Sequence, residues 1–359
     1  MPEQEPPSSP PCAPASTASI HPPAEDEEWP QPVQSAHGET NRSNQVSGWQ
    51  RYARWIGLAI LVVVSAYGVH QFMAGDAGAV TEVWKGKITI LPVVCLFALI
   101  NLGLEVTGWL WTFQFLGLKA NDRIAVGVCV SGKAGLLLPA QLGRLIRPDL
   151  MVRLGRGTFG ENLKAEAAVF ILDGLAVVAL FAGLLAWRVN PLLSPPAFAV
   201  VVIVSLFLGN RIARLLSDTR FHFPSTFWLS WQAFGITVVQ AAGWASHGIA
   251  FFVLTSDLPG NMTLWDALFL APGSAVIGLA SGLPGGLGLT DGLLGASLGI
   301  GGIPAAHHVV GVALFRLITF WGVWVIGWLA LLWTGRQIRK RHLQLEAEPD
   351  AAMGLGDER

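Results

Sequence analysis

Leu283-Pro284-Gly285-Gly286-Leu287-Gly288 cuts one apolar stretch, residues 264–303, and Leu138-Pro139-Ala140-Gln141-Leu142-Gly143 closes another, residues 124–139. Both read L-P-x-x-L-G. Proline removes a backbone donor and glycine weakens helix, so breaks are expected at Pro139 and Gly143, and at Pro284, Gly285, Gly286 and Gly288. Within a bilayer, non-helical backbone survives only when packed in protein or lining a wet cavity. Each broken stretch follows a long apolar run with a Gly-Trp pair (Gly108-Trp109, Gly243-Trp244) and precedes one with a mid-span charge (Asp173, Arg316). Paired breaks in two halves of opposite orientation point to an inverted repeat with a binding site between them. Two Pro/Gly-rich turns joining ordinary short helices would leave the same hexapeptides.

The surrounding composition is that of a membrane protein. Of 359 residues, 52% are hydrophobic and only 13% charged, against roughly 25% charged in soluble domains. Mean hydropathy is +0.51, and 15 Trp and 41 Gly suit membrane helices. Residues 1–50 differ, with ten of the 22 prolines, seven acids and one base, Arg42. That segment has too little apolar surface to offset its ordering entropy, which predicts a disordered tail. Cys12, Cys95 and Cys129 make neither a disulfide framework nor a paired metal knuckle.

Apolar runs at residues 55–73, 88–118, 165–187, 195–208, 226–254 and 307–333 predict six crossings, although 195–208 falls short of the roughly 20 residues a crossing needs. Basic residues set the orientation. Lys119 and Arg123 precede residues 124–139, and Arg144, Arg147, Arg153, Arg156 and Lys164 follow. A full crossing would put one of these flanks outside, so the stretch is expected to dip in from the cytoplasm and return. The flanks of 264–303 hold no Lys or Arg, and the last run must end inside, before Arg336, Arg339, Lys340 and Arg341. That stretch therefore enters and leaves at the outer face, as a re-entrant hairpin or two close crossings. Within residues 51–345, sixteen bases then lie inside against three outside, Lys85, Lys87 and Arg188, with Lys133 and Arg316 at membrane depth. The expected fold is an all-α polytopic membrane protein, with about six full spans plus two re-entrant or broken helical hairpins in an inverted repeat. A cytoplasmic tail at 1–50, a membrane domain at 51–335 and a second cytoplasmic tail at 336–359 complete it.

A charge at mid-span costs roughly 2.5–3.5 kcal/mol on insertion scales, so Glu105, Lys133, Asp173 and Arg316 each require a reason. Arg316 suits bidentate phosphate recognition, or an ion pair with Asp291 or Asp173. Asp291 follows the glycine-rich break and reads as an N-cap for residues 292–298, a counter-ion or a proton carrier. Lys133, Arg144 and Arg147 crowd the inner break, where they either draw in an anionic headgroup or act as topology determinants. His307 and His308 point about 100° apart on a helix and make no i,i+4 metal pair. His247, alone in an apolar span, reads as a packed or hydrogen-bonded residue. No metal, cofactor or catalytic set is expected. The bases sort by topology rather than interleaving with exposed aromatics, which argues against nucleic acid.

Pro284-Gly285-Gly286-Leu287-Gly288-Leu289-Thr290-Asp291 resembles the P-G-G-x-G-x-x-E motif of the lysylphosphatidylglycerol synthase transmembrane-region family, the flippase-like membrane proteins, which usually carry an arginine at the place of Arg316. Pro139 to Arg147 is similar to that family's P-x-x-x-G-E-x-x-R, and the resemblance covers roughly residues 50–335. It departs in three places. Arg144 stands for a glutamate, Asp291 for another, and of E-R-x-x-D only Asp173 remains, with Phe170 at the arginine's position. An acid missing at one motif and an arginine at another looks like joint removal of an ion pair. The resemblance implies a bacterial inner-membrane protein, both termini cytoplasmic, that translocates or handles an anionic or amphipathic lipid. Fused members append a cytosolic synthase, whereas only about 25 residues follow Trp333, so handling without synthesis is expected. Membrane lipids are the expected partners, with a separately encoded lipid-modifying enzyme as a second. A scaffold for such an enzyme, or a secondary transporter of a soluble anion, are the competing readings.

Overall fold

The computed structural model describes residues 77–215, 225–260 and 262–353; the N-terminal tail and the run at 55–73 lie outside them. It is 85% helical, with no strand among the described residues. A short helix, α1 (Ala77–Lys87), leads into α2 (Leu91–Phe115). Two helices, α3 (Arg123–Ser131) and α4 (Ile146–Arg153), flank a pair of 3-10 turns at Gly132–Gly135 and Pro139–Leu145. Then come α5 (Phe159–Val189), α6 (Ser194–Leu215) and α7 (Trp231–Thr255). The second broken unit is α8 (Leu264–Ala280), a 3-10 turn at Pro284–Gly286, and α9 (Leu289–Ile300). Finally α10 (Ala305–Arg316) runs through a π-helical segment, Leu317–Gly322, into α11 (Val323–Met353).

Five of these stretches are long and apolar enough to cross a bilayer: α2, α5, α6, α7 and the α10–α11 rod. The protein is an all-α membrane protein. The short apolar run at 195–208 belongs to a 25-residue helical stretch, Pro191–Leu215, because the helix continues through Asn210, Arg211 and Arg214, which hydropathy does not count. Likewise α11 continues as helix to Met353, well into the expected C-terminal tail. Only 11% of the Pro191–Leu215 span is buried, against half of α7, so α6 is peripheral and α7 central. Polar caps start the helices where the apolar runs begin. Asp122 accepts from Ala125 N–H at 2.9 Å, Ser230 caps α7 through Ala233 N–H at 3.0 Å, and Thr158 with Glu161 and Thr263 with Asp266 form capping boxes.

Contacts sort the helix ends into two sets. At one end, Arg156 bonds Lys119 O (3.0 Å) and pairs with Asp122, Arg341 reaches Leu154 O (3.4 Å), and Gly127 abuts Trp333 and Thr334. The hydrogen bond from Arg156 holds the Asp122 carboxyl below the usual carboxylate range. Some 46 Å away along α5, at 1.5 Å per residue, lies the other set. There Trp265 bonds Leu184 O (2.8 Å), Arg188 stacks on Trp265, Lys87 pairs with Asp257, and Gly260 packs against Ile303. The segment from Asp122 to Arg156 thus begins and ends at the first, base-rich end. The segment from Gly260 to Ile303 begins and ends at the second. At 9, 17 and 12 residues, α3, α8 and α9 are shorter than a full crossing.

The hairpin tips have matching backbones. Leu138 (φ −81°, ψ 138°) and Leu283 (φ −68°, ψ 145°) are both extended, and the proline after each opens a 3-10 turn. The Pro139–Leu145 and Pro284–Gly286 turns touch. Each hairpin closes on a glycine pair eight residues apart: a Cβ at Gly135 would stand 2.2 Å from Gly143 Cα, and one at Gly286 would stand 2.9 Å from Gly278 Cα. Cysteine accessibility reads this arrangement directly. In a background lacking the native cysteines, Asn121→Cys and Gly160→Cys should label from one side of the membrane, and Ser256→Cys and Ile300→Cys from the other. Labelling of positions 121 and 160 from opposite sides would contradict the first hairpin.

Candidate functional site

Between the hairpin tips lies a cavity of about 200 Å³, walled by α2, α5, α7, α8, both breaks and the π-helical segment after Arg316. Six of the seven charged residues singled out from sequence line it: Glu105, Lys133, Arg144, Arg147, Asp173 and Arg316. Asp291 stands behind the lining. It is not the N-cap of its helix but the third residue of α9, where its carboxylate accepts the Gly288 N–H at 2.9 Å. Gly288, at φ +82°, takes the cap position that a side chain would strain.

On the side of the first break, Arg147 is the anchor. Only 3% exposed, it donates to Glu105 and Glu166, both at 3.0 Å, and through Nε to Cys129 O at 2.9 Å. Gly132 leaves the space it occupies, since a Cβ there would stand 2.3 Å from Arg147 Nε. Each nitrogen of that fork makes a hydrogen bond within the protein. Lys133 pairs with Glu105, and Arg144 lies 3.4 Å from Asp173 and 3.7 Å from Glu166. These side chains keep about a fifth of their surface open (Lys133 19%, Arg144 23%, Glu105 21%, Asp173 20%), which leaves them able to meet a ligand. Arg144 also stacks over the Phe170 ring at 4.9 Å. That contact is a cation–π pair between the first break and α5.

Glu166, absent from the sequence-derived set, is the central acid of this network. It lies seven residues before Asp173 on α5, two turns along one face. The tryptophans of the two Gly-Trp pairs treat these acids alike: Trp109 donates its indole N–H to Glu166 at 2.8 Å, and Trp244 donates to Asp173 at 2.9 Å. The glycines serve α2–α7 contact, Gly108 lying under Gln240 and Gly243 O accepting from Asn101 at 2.7 Å.

On the side of the second break, Arg316 donates to Gly285 O at 3.0 Å and stacks over Phe320 at 4.4 Å. Its Nε stands 2.8 Å from Asp291 Oδ1, an ion-pair contact at an angle that makes no directed hydrogen bond. The π-helical turn begins at the next residue, Leu317; such turns interrupt the regular ladder and recur at functional positions. His247, expected to be packed or hydrogen-bonded, lines the cavity and packs against Phe315 at 4.8 Å.

Charge is divided unevenly between lining and backing. The lining carries four bases and two acids; Glu166 and Asp291, the acids that balance the remainder, are set behind it. These eight side chains balance in charge, although the Asp291 side chain is 29% exposed, while the lining itself carries two more bases than acids. Leu138 and Leu283 also line the cavity and are each 42% exposed, so part of its lining is apolar and open. No protein-family model matches the chain, and no curated protein matches it at significant similarity.

Proposed function

We propose that the protein is a flippase-like lipid translocase of the bacterial inner membrane that carries an anionic headgroup through the central cavity while the acyl tails stay in lipid. The observation that carries this reading is the positive lining with its balancing acids set behind, at a point where two broken hairpins from opposite ends meet. An inverted repeat, with the base-rich end in the cytoplasm, accounts for both hairpins and gives each leaflet one broken segment near the site. The exposed leucines of the lining suit a lateral opening for a lipid; a soluble anion would call for a polar vestibule. The resemblance to the flippase-like family supports the same activity.

Reconstitution into vesicles with a panel of headgroup-labelled lipids tests it. Anionic lipids should exchange between leaflets faster than neutral ones and faster than in protein-free vesicles. Equal rates with and without protein would leave the scaffold reading in its place. Lys133→Met should slow exchange by about tenfold, the worth of one charge-assisted bond. Stability should change little, because Glu105 keeps its 3.0 Å bond to Arg147.

A further inference from the structure

Gln240 is 3% exposed, yet neither its Nε2 nor its Oε1 meets a protein partner. It lines the cavity from α7, laid against Gly108, where a Cβ would come within 3.1 Å of Gln240 Cγ. A buried amide left unpaired on both atoms is costly, and an apolar residue would fill the same space without that cost. The charged groups around it are matched: Glu105 by Lys133 and Arg147, Asp173 by Arg144 and Trp244. Asn101 lines the same cavity, its Nδ2 fixed on Gly243 O. Along α7, Gln240 lies seven residues from His247, about 10 Å of helix rise, and His247 packs against Phe315, the neighbour of Arg316. Beside its charged side chains, the cavity therefore offers an uncharged donor–acceptor pair.

We infer that Gln240 is the specificity subsite for a neutral hydrogen-bonding group, a hydroxyl or amide, on a phosphate ester whose phosphate meets the exposed bases. The inference rests on the translocase reading and narrows its substrate. A bare phosphate headgroup leaves Gln240 unpaired, whereas a glycerol-bearing one supplies both a donor and an acceptor. The same chemistry occurs in a lipid headgroup and in a free glycerophosphate.

Binding and transport are measured separately. In detergent, the full-length protein should bind short-chain phosphatidylglycerol about tenfold more tightly than short-chain phosphatidic acid, and Gln240→Met should bring that ratio to about one. Thermal unfolding of Gln240→Met should occur at the same or a higher temperature than wild type, since a purely structural amide would lose stability on removal. An unchanged ratio in Gln240→Met, or no preference in the wild type, overturns the subsite and shows an amide that is merely hydrated. sn-Glycerol 3-phosphate competing as well as the short-chain lipid would keep the subsite and assign it to a soluble ester. Preferential binding without leaflet exchange in vesicles would likewise keep the subsite but overturn the translocase reading. Equal binding of the two lipids, with leaflet exchange of both in vesicles, would do the reverse.

Discussion

Arg147→Met should destabilise the protein by about 3–5 kcal/mol, the cost of leaving buried charge without its partner, read as a lower unfolding temperature in detergent. The side chain is 3% exposed and its guanidinium joins α2, α3 and α5 through Glu105, Cys129 O and Glu166. Its removal leaves two acids sharing Lys133 and the more distant Arg144, and an orphaned carbonyl beside them. Lysine should rescue only part of the loss, because an ammonium cannot span three acceptors in the plane of the fork. Adding Glu166→Gln to Arg147→Met should recover stability, with a coupling of about 1–3 kcal/mol in a double-mutant cycle. A single variant as stable as wild type would mean that the network is held together by Lys133 and Arg144 alone.

The breaks were legible because proline and glycine act locally. Pro139 and Pro284 open their turns whatever surrounds them, and the charge asymmetry between the flanks of the two stretches needs no knowledge of packing. Which cation stays open to the cavity was not legible. Lys133, Arg144 and Arg147 have the same sign and nearly the same sequence depth, and only the fold shows that Gly132 admits Arg147 to the interior while the other two stay partly open. Glu166 escaped notice because it sits near the polar start of its apolar run, where an acid looks interfacial. Its seven-residue spacing from Asp173 was the signal available. Gln240 and Asn101 carry no charge, so neither hydropathy nor the positive-inside rule marks them, and their position in the cavity follows from the α2–α7 packing. The cap at the second break went to Gly288 rather than Asp291 because the chain reaches α9 through a positive-φ residue, a position glycine alone fills without strain.

Arg316→Ala should abolish leaflet exchange and lower stability by about 1–3 kcal/mol. The lower bound reflects Asp291, whose side chain is 29% exposed and so partly solvated. Three contacts are lost at once: the ion pair with Asp291, the stack over Phe320, and the 3.0 Å bond to Gly285 O, which ties α10 to the turn at the tip of the second hairpin. Topology does not require this arginine, as the next base in the chain is Arg336. Combining Arg316→Gln with Asp291→Asn separates the two roles. The asparagine carbonyl can still accept the Gly288 N–H, so the start of α9 is kept, and no charge is left unpaired. Stability should return to within about 1 kcal/mol of wild type, since removing both members of a pair is often nearly neutral. Exchange should not return, because the guanidinium that would hold the phosphate is gone. A double variant that moved lipid at the normal rate would reduce the pair to a structural tie and leave Lys133 and Arg144 as the anion site.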